Sequence, residues 1–331
     1  MSTIEAREQS GNDTSGSLSY LDSTVVPSLY RNGRVLTHRD RDGSDADTRG
    51  VYYARTTVPV RDARQLSGNA CRRLGANGFE LFDRPLTAPS LDFFDAEQIV
   101  RRYYDDCAAI VADVTGGHAY AFDHNVRSAT GKKSRRRIAG GQKVQGPVYF
   151  VHGDYTLTSA PQRLRDLGQP PTSNDTLRAV LGDNASLIGS ERAERTLADR
   201  ERFAFINVWR NIADTAVATN PIALCDGQTV QPEDLVVFEI HYQDRIGENY
   251  FARHASAHRW YYYPRMTRDE VLLIKQWDST GPLARSNGAA ADNTDLAAPC
   301  TFSFHTAFDD PATPPDAPDR WSIEVRCVVL Y

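Results

Sequence analysis

No apolar run in the 331 residues approaches the roughly 20-residue length of a membrane-crossing helix, which argues against a helical membrane protein. Cysteine is sparse. Cys71, Cys107, Cys225, Cys300 and Cys327 are five in number and show no C-x-x-C spacing, which argues against a disulfide framework and a zinc knuckle. Neither a Gly-rich phosphate loop nor a G-x-S-x-G nucleophile elbow is present, which removes the commonest nucleotide-binding and hydrolase readings. Positive charge is not in excess: the net charge of −5 offers nucleic acid no general attraction. Met1 to Ser19 is polar and contains acidic residues, unlike a secretory or transit leader, so the expected setting is cytoplasmic, with no membrane partner.

What is present is an ordinary globular composition, 40% hydrophobic and 24% charged, sufficient for one large core. Residues 1–20, rich in Ser, Gly, Thr, Asn and Asp, read as a disordered tail. Residues 21–331 read as a single domain, with a helical insertion at about 164–202. Val51–Val60 and the run around Phe79–Phe82 read as strands, and Asp95 opens a helix whose apolar residues Ile99, Tyr103, Cys107 and Ile110 share a face. Eight further β-rich runs follow: His118–Val126, Pro147–Tyr155, Ala204–Ile212, Pro221–Val230, His258–Met266, Glu270–Ser279, Phe302–Asp310 and Ser322–Tyr331. Eight strands with flanking helices suit a double-stranded β-helix, or jelly roll, in which small-molecule chemistry sits between two facing sheets.

The most informative residues lie at the ends of these runs. In an extended strand alternate side chains share a face, so His152 and Asp154 of His152-Gly153-Asp154 point the same way and suit one metal ion. His305, from a distant strand, completes a two-histidine, one-carboxylate set that leaves positions open on Fe(II) for a co-substrate and dioxygen. Downstream, the guanidinium fork of Arg320 and the hydroxyl of Ser322 suit the far carboxylate of 2-oxoglutarate. Taken alone, an H-x-D tripeptide is more often a turn beside a half-buried histidine. The surrounding strand pattern and the later Arg-x-Ser favour the metal. His258 and His124 compete with His305 as third ligand, and Arg326 competes with Arg320, whose strand parity it shares.

Among other residues, Asn207 of Asn207-Val208-Trp209-Arg210 is a candidate for holding the keto acid, whereas Trp209 reads as core. Arg210, Arg259 and Tyr155 are candidate substrate contacts. The aromatic strand His258–Pro264 has one face for the core and one for an apolar pocket. The basic run Lys132–Arg137 reads as a solvated loop able to close over the site, with a phosphate-binding patch or localisation signal as the sharper alternative.

Beyond the triad, the segments Val58–Arg64, Phe122–Arg127, Asn207–Arg210, His258–Pro264, Phe304–Phe308 and Ser322–Arg326 resemble the fungal and bacterial hydroxylase/desaturase family, whose members are gibberellin-desaturase-like and cephamycin-hydroxylase-like. The similarity runs from about Val51 to Tyr331. It implies an Fe(II)- and 2-oxoglutarate-dependent dioxygenase of specialised metabolism that uses O2, releases succinate and CO2, and hydroxylates, desaturates or cyclises a small molecule. It places iron at His152, Asp154 and His305. The competing functions are a jelly-roll binding protein without catalysis and a metal-dependent hydrolase on the same scaffold.

Overall fold

The structure, a computed structural model, describes residues 13–39, 45–172, 175–179, 181, 184–243, 245–285 and 299–331. Their strands are β1 (Thr14–Leu21), β2 (Leu36–Arg39), β3 (Asp45–Arg49), β4 (Tyr53–Asp62), β5 (Phe79–Asp83), β6 (His118–Arg127), β7 (His152–Gly153) and β8 (Phe203–Asn211). The series continues with β9 (Ile222–Cys225), β10 (Leu235–His241), β11 (Ile246–Ala252), β12 (Trp260–Tyr262), β13 (Glu270–Asp278), β14 (His305–Ala307) and β15 (Ser322–Leu330). They form a large sheet in the order β1-β4-β12-β9-β14-β7-β11-β10-β2-β3 and a small one in the order β5-β13-β8-β15-β6. Between the two sheets lies an apolar cluster that draws Leu224 and Tyr261 from the large sheet and Trp209, Leu272 and Ile274 from the small one. This is the jelly roll read from the sequence.

The runs FAFINVWRN of β8 and EVLLIKQWD of β13 are buried almost end to end, because the small sheet is covered on both faces. The large sheet covers one face; the helix Tyr104–Thr115 packs on β6, β8 and β15 from the other. Asp95 caps that helical segment, its carboxylate accepting from the Glu97 and Gln98 amides. A wide π-helical turn at Ile99–Tyr103 follows, and Gly116 ends the helix at φ 72°. Ile99, Tyr103, Cys107 and Val111 are buried, whereas Ile110, expected on that face, is only partly covered.

Several expectations need correction. The disordered-tail reading fails for its second half: β1 pairs with β4 from Thr14↔Val60 to Leu21↔Tyr53 and buries Leu18, Tyr20 and Leu21, while residues 1–12 lie outside the described residues. Strands β2 and β3 and the β10–β11 hairpin were not anticipated. The runs expected at Pro147–Tyr155, Pro221–Val230, His258–Met266 and Phe302–Asp310 shrink to two to four paired residues, since proline supplies no ladder amide and 3-10 turns such as Gly227–Thr229 break the pairing. Within the insertion expected to be helical, Thr176–Ala179 form only a 3-10 turn. The helix Ser190–Ala198 packs on the helix Ser159–Leu167, which in turn packs on β11. Among the described residues no helix is long and apolar enough to cross a membrane.

Candidate metal centre

Strands β7 and β14 are neighbours, and His152 is the direct cross-strand partner of His305. Their rings lie 4.3 Å apart, centroid to centroid, and face the space between the sheets. Asp154, two residues beyond His152, shares its side: Oδ1 lies 3.6 Å from His152 Nε2 and 4.0 Å from His305 Nε2. One ligand atom from each residue falls within 4.8 Å of the others, so one ion reaches all three. Gly153 faces the other way, and a Cβ there would stand 3.1 Å from the Phe302 ring, tighter than ordinary packing tolerates.

The surroundings prepare these groups as ligands. His152 Nδ1 is 2.7 Å from the Phe150 carbonyl; donation to that oxygen fixes the tautomer and leaves the Nε2 lone pair facing the centre. Burial, with His305 alongside, pushes the His152 imidazole down to about 4, so it is neutral at physiological pH; burial lowers His305 as well. For Asp154, burial opposes ionisation, but Arg326, the two histidines and the Asn207 amide outweigh it and hold the carboxyl well below the usual range. The second carboxylate oxygen is occupied by the protein: Asn207 Nδ2 donates to it at 2.9 Å, and Arg326 Nε lies 3.6 Å away. Gln276, which the sequence reading missed, accepts the Asp154 backbone amide at 3.2 Å from β13. Its only sequence signal is a lone amide side chain within the apolar run VLLIKQWD.

Arg320 is 4% exposed and donates to the Asn220 carbonyl, and its Nε has no hydrogen-bond partner. Ser322 Oγ is also buried without a partner. Burial, reinforced by Arg127, pushes the Arg320 guanidinium down to about 10. Arg326 differs in kind: Asp123 at 2.8 Å, Asp154 at 3.6 Å and Glu324 at 3.6 Å already surround it. Of the two candidate anchors, Arg320 is the one still short of an anion.

The remaining candidates divide. Asn207 belongs to the centre, but as the residue that orients Asp154. Tyr155 borders the cavity and stacks on Phe205 at 4.4 Å. Arg210 does not reach the site: strand alternation sends it to the opposite face of β8 from Asn207, where Nε donates to Tyr103 and Nη1 to the Arg268 carbonyl under the helix. Arg259 is half-exposed beside Asp226, in an outer cluster with Arg72. His258 is engaged by Asp234 at 3.1 Å and Tyr20 at 3.3 Å, and His124 by Tyr104 at 2.8 Å, so neither joins the triad.

The residues fit iron and its co-substrate on their own chemistry. Two neutral imidazoles and one carboxylate make a borderline-soft N/O set with open positions, suited to Fe(II). The unpartnered Arg320 Nε and Ser322 Oγ suit a carboxylate.

Residues 30–330 match a family model described as oxidoreductase/YMDC permease-like domain. An uncharacterised protein from the dcmA 3′ region of Methylophilus leisingeri is 41% identical over 196 residues, covering 59% of this chain and 89% of that one. The Fe(II)/2-oxoglutarate-dependent dioxygenase nvfI of Aspergillus novofumigatus is 28% identical over 263 residues, 78% of this chain and 77% of its own. The hydroxylase/desaturase efuI of Hormonema carpetanum is 24% identical over 310 residues, 88% of each, in keeping with the family resemblance read from the sequence. A solved structure of the iron and alpha-ketoglutarate-dependent endoperoxidase NvfI superposes with a TM-score of 0.70 at 23% identity, over 96% of this chain and 98% of that one, and shares the fold.

Proposed function

This chain belongs to the oxidoreductase/YMDC permease-like family, and we propose that it is an Fe(II)- and 2-oxoglutarate-dependent oxygenase acting on a small specialised metabolite. The observation that carries the reading is the convergence of His152, Asp154 and His305 within 4.8 Å, between two sheets. Iron(II) held there, with 2-oxoglutarate and dioxygen, supplies oxidation of an unactivated C–H bond, with succinate and carbon dioxide as co-products.

The protein's part is positional. His152 and His305 present neutral Nε2 lone pairs, and Asp154 presents Oδ1, because Asn207 and Arg326 occupy its other side. Arg320 and Ser322 hold the distal carboxylate of 2-oxoglutarate; their unpartnered polar atoms and the absence of a described carboxylate within ion-pair distance of Arg320 support this assignment. Tyr155 and Phe205 form an apolar border that keeps water from the substrate side. Whether hydroxylation, desaturation or ring closure follows depends on where the substrate's C–H bonds sit relative to the metal. The 21–331 stretch acts as one catalytic domain, extended at its start by β1; the shared core of both sheets supports this. A cytoplasmic setting is supported by five unpaired cysteines, four of them buried.

The test is anaerobic titration with Fe(II) and 2-oxoglutarate. A weak visible charge-transfer band that needs both, followed by succinate release on admitting oxygen, is expected. No band and no oxygen-dependent succinate would overturn the reading.

A further inference from the structure

The centre opens into a cavity of about 3010 Å³, well beyond the roughly 300–1,000 Å³ of a pocket for one drug-sized ligand. Its walls differ in chemistry. Starting at the metal, Phe251 lies 6.5 Å from the His152 ring, stacks on Phe238 at 4.3 Å and lies 6.2 Å from Phe150, which stacks on Tyr53 at 4.0 Å. All four rings line the cavity and form an apolar strip leading outward.

Another wall comes from the stretch between Asp123 and Asp154, which contains seven cations and no acidic residue in a chain of net charge −5. Five of these, Arg127, Lys132, Arg135, Arg137 and Lys143, line the cavity. Three of the acids elsewhere on its border have their own cations: Glu248 has Arg31 at 3.1 Å, Asp45 has Arg39 at 2.8 Å and Asp175 has Arg163 at 3.6 Å. Arg127 is the innermost of the five, opposite Ser322 across the β6–β15 ladder. Its Nη1 donates to the Gln145 amide oxygen at 3.0 Å and the Gly146 carbonyl at 3.2 Å, and no carboxylate among the described residues lies within ion-pair distance. A half-buried guanidinium whose hydrogen-bond partners are all neutral, in the cavity bordered by His152 and Asp154, has capacity for an anion.

We propose that the substrate is an amphipathic carboxylate, whose hydrocarbon body lies along Phe251, Phe238, Phe150 and Tyr53 and whose carboxylate is received by Arg127. This rests on the oxygenase reading for its chemistry and adds the substrate class. The basic run Lys132–Arg137 then forms the outer, attracting part of the same wall.

The test is calorimetric titration of the full chain with naphthalene-2-acetate and 4-phenylbutyrate, each beside its neutral amide. Each acid is expected to bind on the order of tenfold tighter than its amide, the value of one charge-assisted hydrogen-bonding contact. That preference should vanish in Arg127→Met and partly return in Arg127→Lys, while Phe251→Ala weakens acid and amide alike. Equal affinity for acid and amide in the unaltered protein, or no binding of either acid, overturns the proposal. So does an Arg127→Met variant that keeps the preference and instead raises the 2-oxoglutarate needed for the visible band. A band in the unaltered protein without acid preference leaves the oxygenase standing and removes only the substrate class; acid preference without a band does the reverse.

Discussion

Asn207 Nδ2 donates to Asp154 Oδ2 at 2.9 Å, across the gap between the two sheets, so that the opposite carboxylate oxygen is the one turned toward His152 and His305. Asn207→Leu removes that hold without adding charge. Residues that orient a metal ligand in this way typically cost ten- to a hundredfold in affinity when lost. We expect Fe(II) affinity, measured by anaerobic titration, to fall by about that factor with the secondary structure unchanged; unchanged affinity would show that Asp154 needs no such support.

His152→Ala and Asp154→Ala are expected to abolish iron-dependent succinate formation while the circular dichroism spectrum stays native. His258→Ala should keep the bound iron at one ion per chain, because His258 is engaged by Asp234 and Tyr20 away from the centre. A succinate assay with circular dichroism checks the first, and metal analysis of the purified variant checks the second.

Arg320→Ala is expected to raise the 2-oxoglutarate concentration for half-maximal turnover by roughly ten- to a hundredfold, the value of one or two charge-assisted hydrogen bonds. Arg326→Ala should act elsewhere: with its guanidinium gone, Asp123, Asp154 and Glu324 lose a shared cation. Its main effect is expected on Fe(II) affinity and thermal stability. If Arg326→Ala instead gives the pure co-substrate effect, the anchor lies three strand repeats away from Arg320.

Acid sensitivity has a source outside the metal ligands. Burial first, moderated by Asp123, pushes His124 down to about 4, against 6.5 for the free side chain. Between these values the unfolded chain binds the proton and the folded one does not, so stability rises with pH through this window and is lost as pH falls from 6.5 toward 4. Two pH units below 6.5 correspond to about 3 kcal/mol from this group alone. His124→Gln should therefore shrink the difference in unfolding free energy between pH 7 and pH 4.5 by about that amount, as read from urea denaturation; an unchanged difference would place the acid sensitivity elsewhere.

The sequence was legible where one residue type has one use. The alternation that puts His152 and Asp154 on one face, the apolar runs of β8, β13 and β15, and the Asp95 cap were all readable because they are local. Arg320 and Arg326 share strand parity, so alternation alone does not separate them; the carboxylates around Arg326 give the physical reason. Arg210 misled because an arginine next to a site strand looks available, yet its strand parity, opposite to Asn207, assigns it to the helix side. Strand β1 was hidden by its serines and glycine: its apolar residues Leu18, Tyr20 and Leu21 find partners only across the sheet. Gln276 acts through a contact between distant segments, and Phe150 acts through its carbonyl alone, which no residue type reveals.

The direct pairing of His152 with His305 has a consequence for biogenesis. The two imidazoles are brought together by a ladder joining segments 153 residues apart, and sliding either strand by one position would turn its ring to the opposite face. Capture of the ion must therefore wait until translation has passed His305 and the sheet has closed in correct alignment.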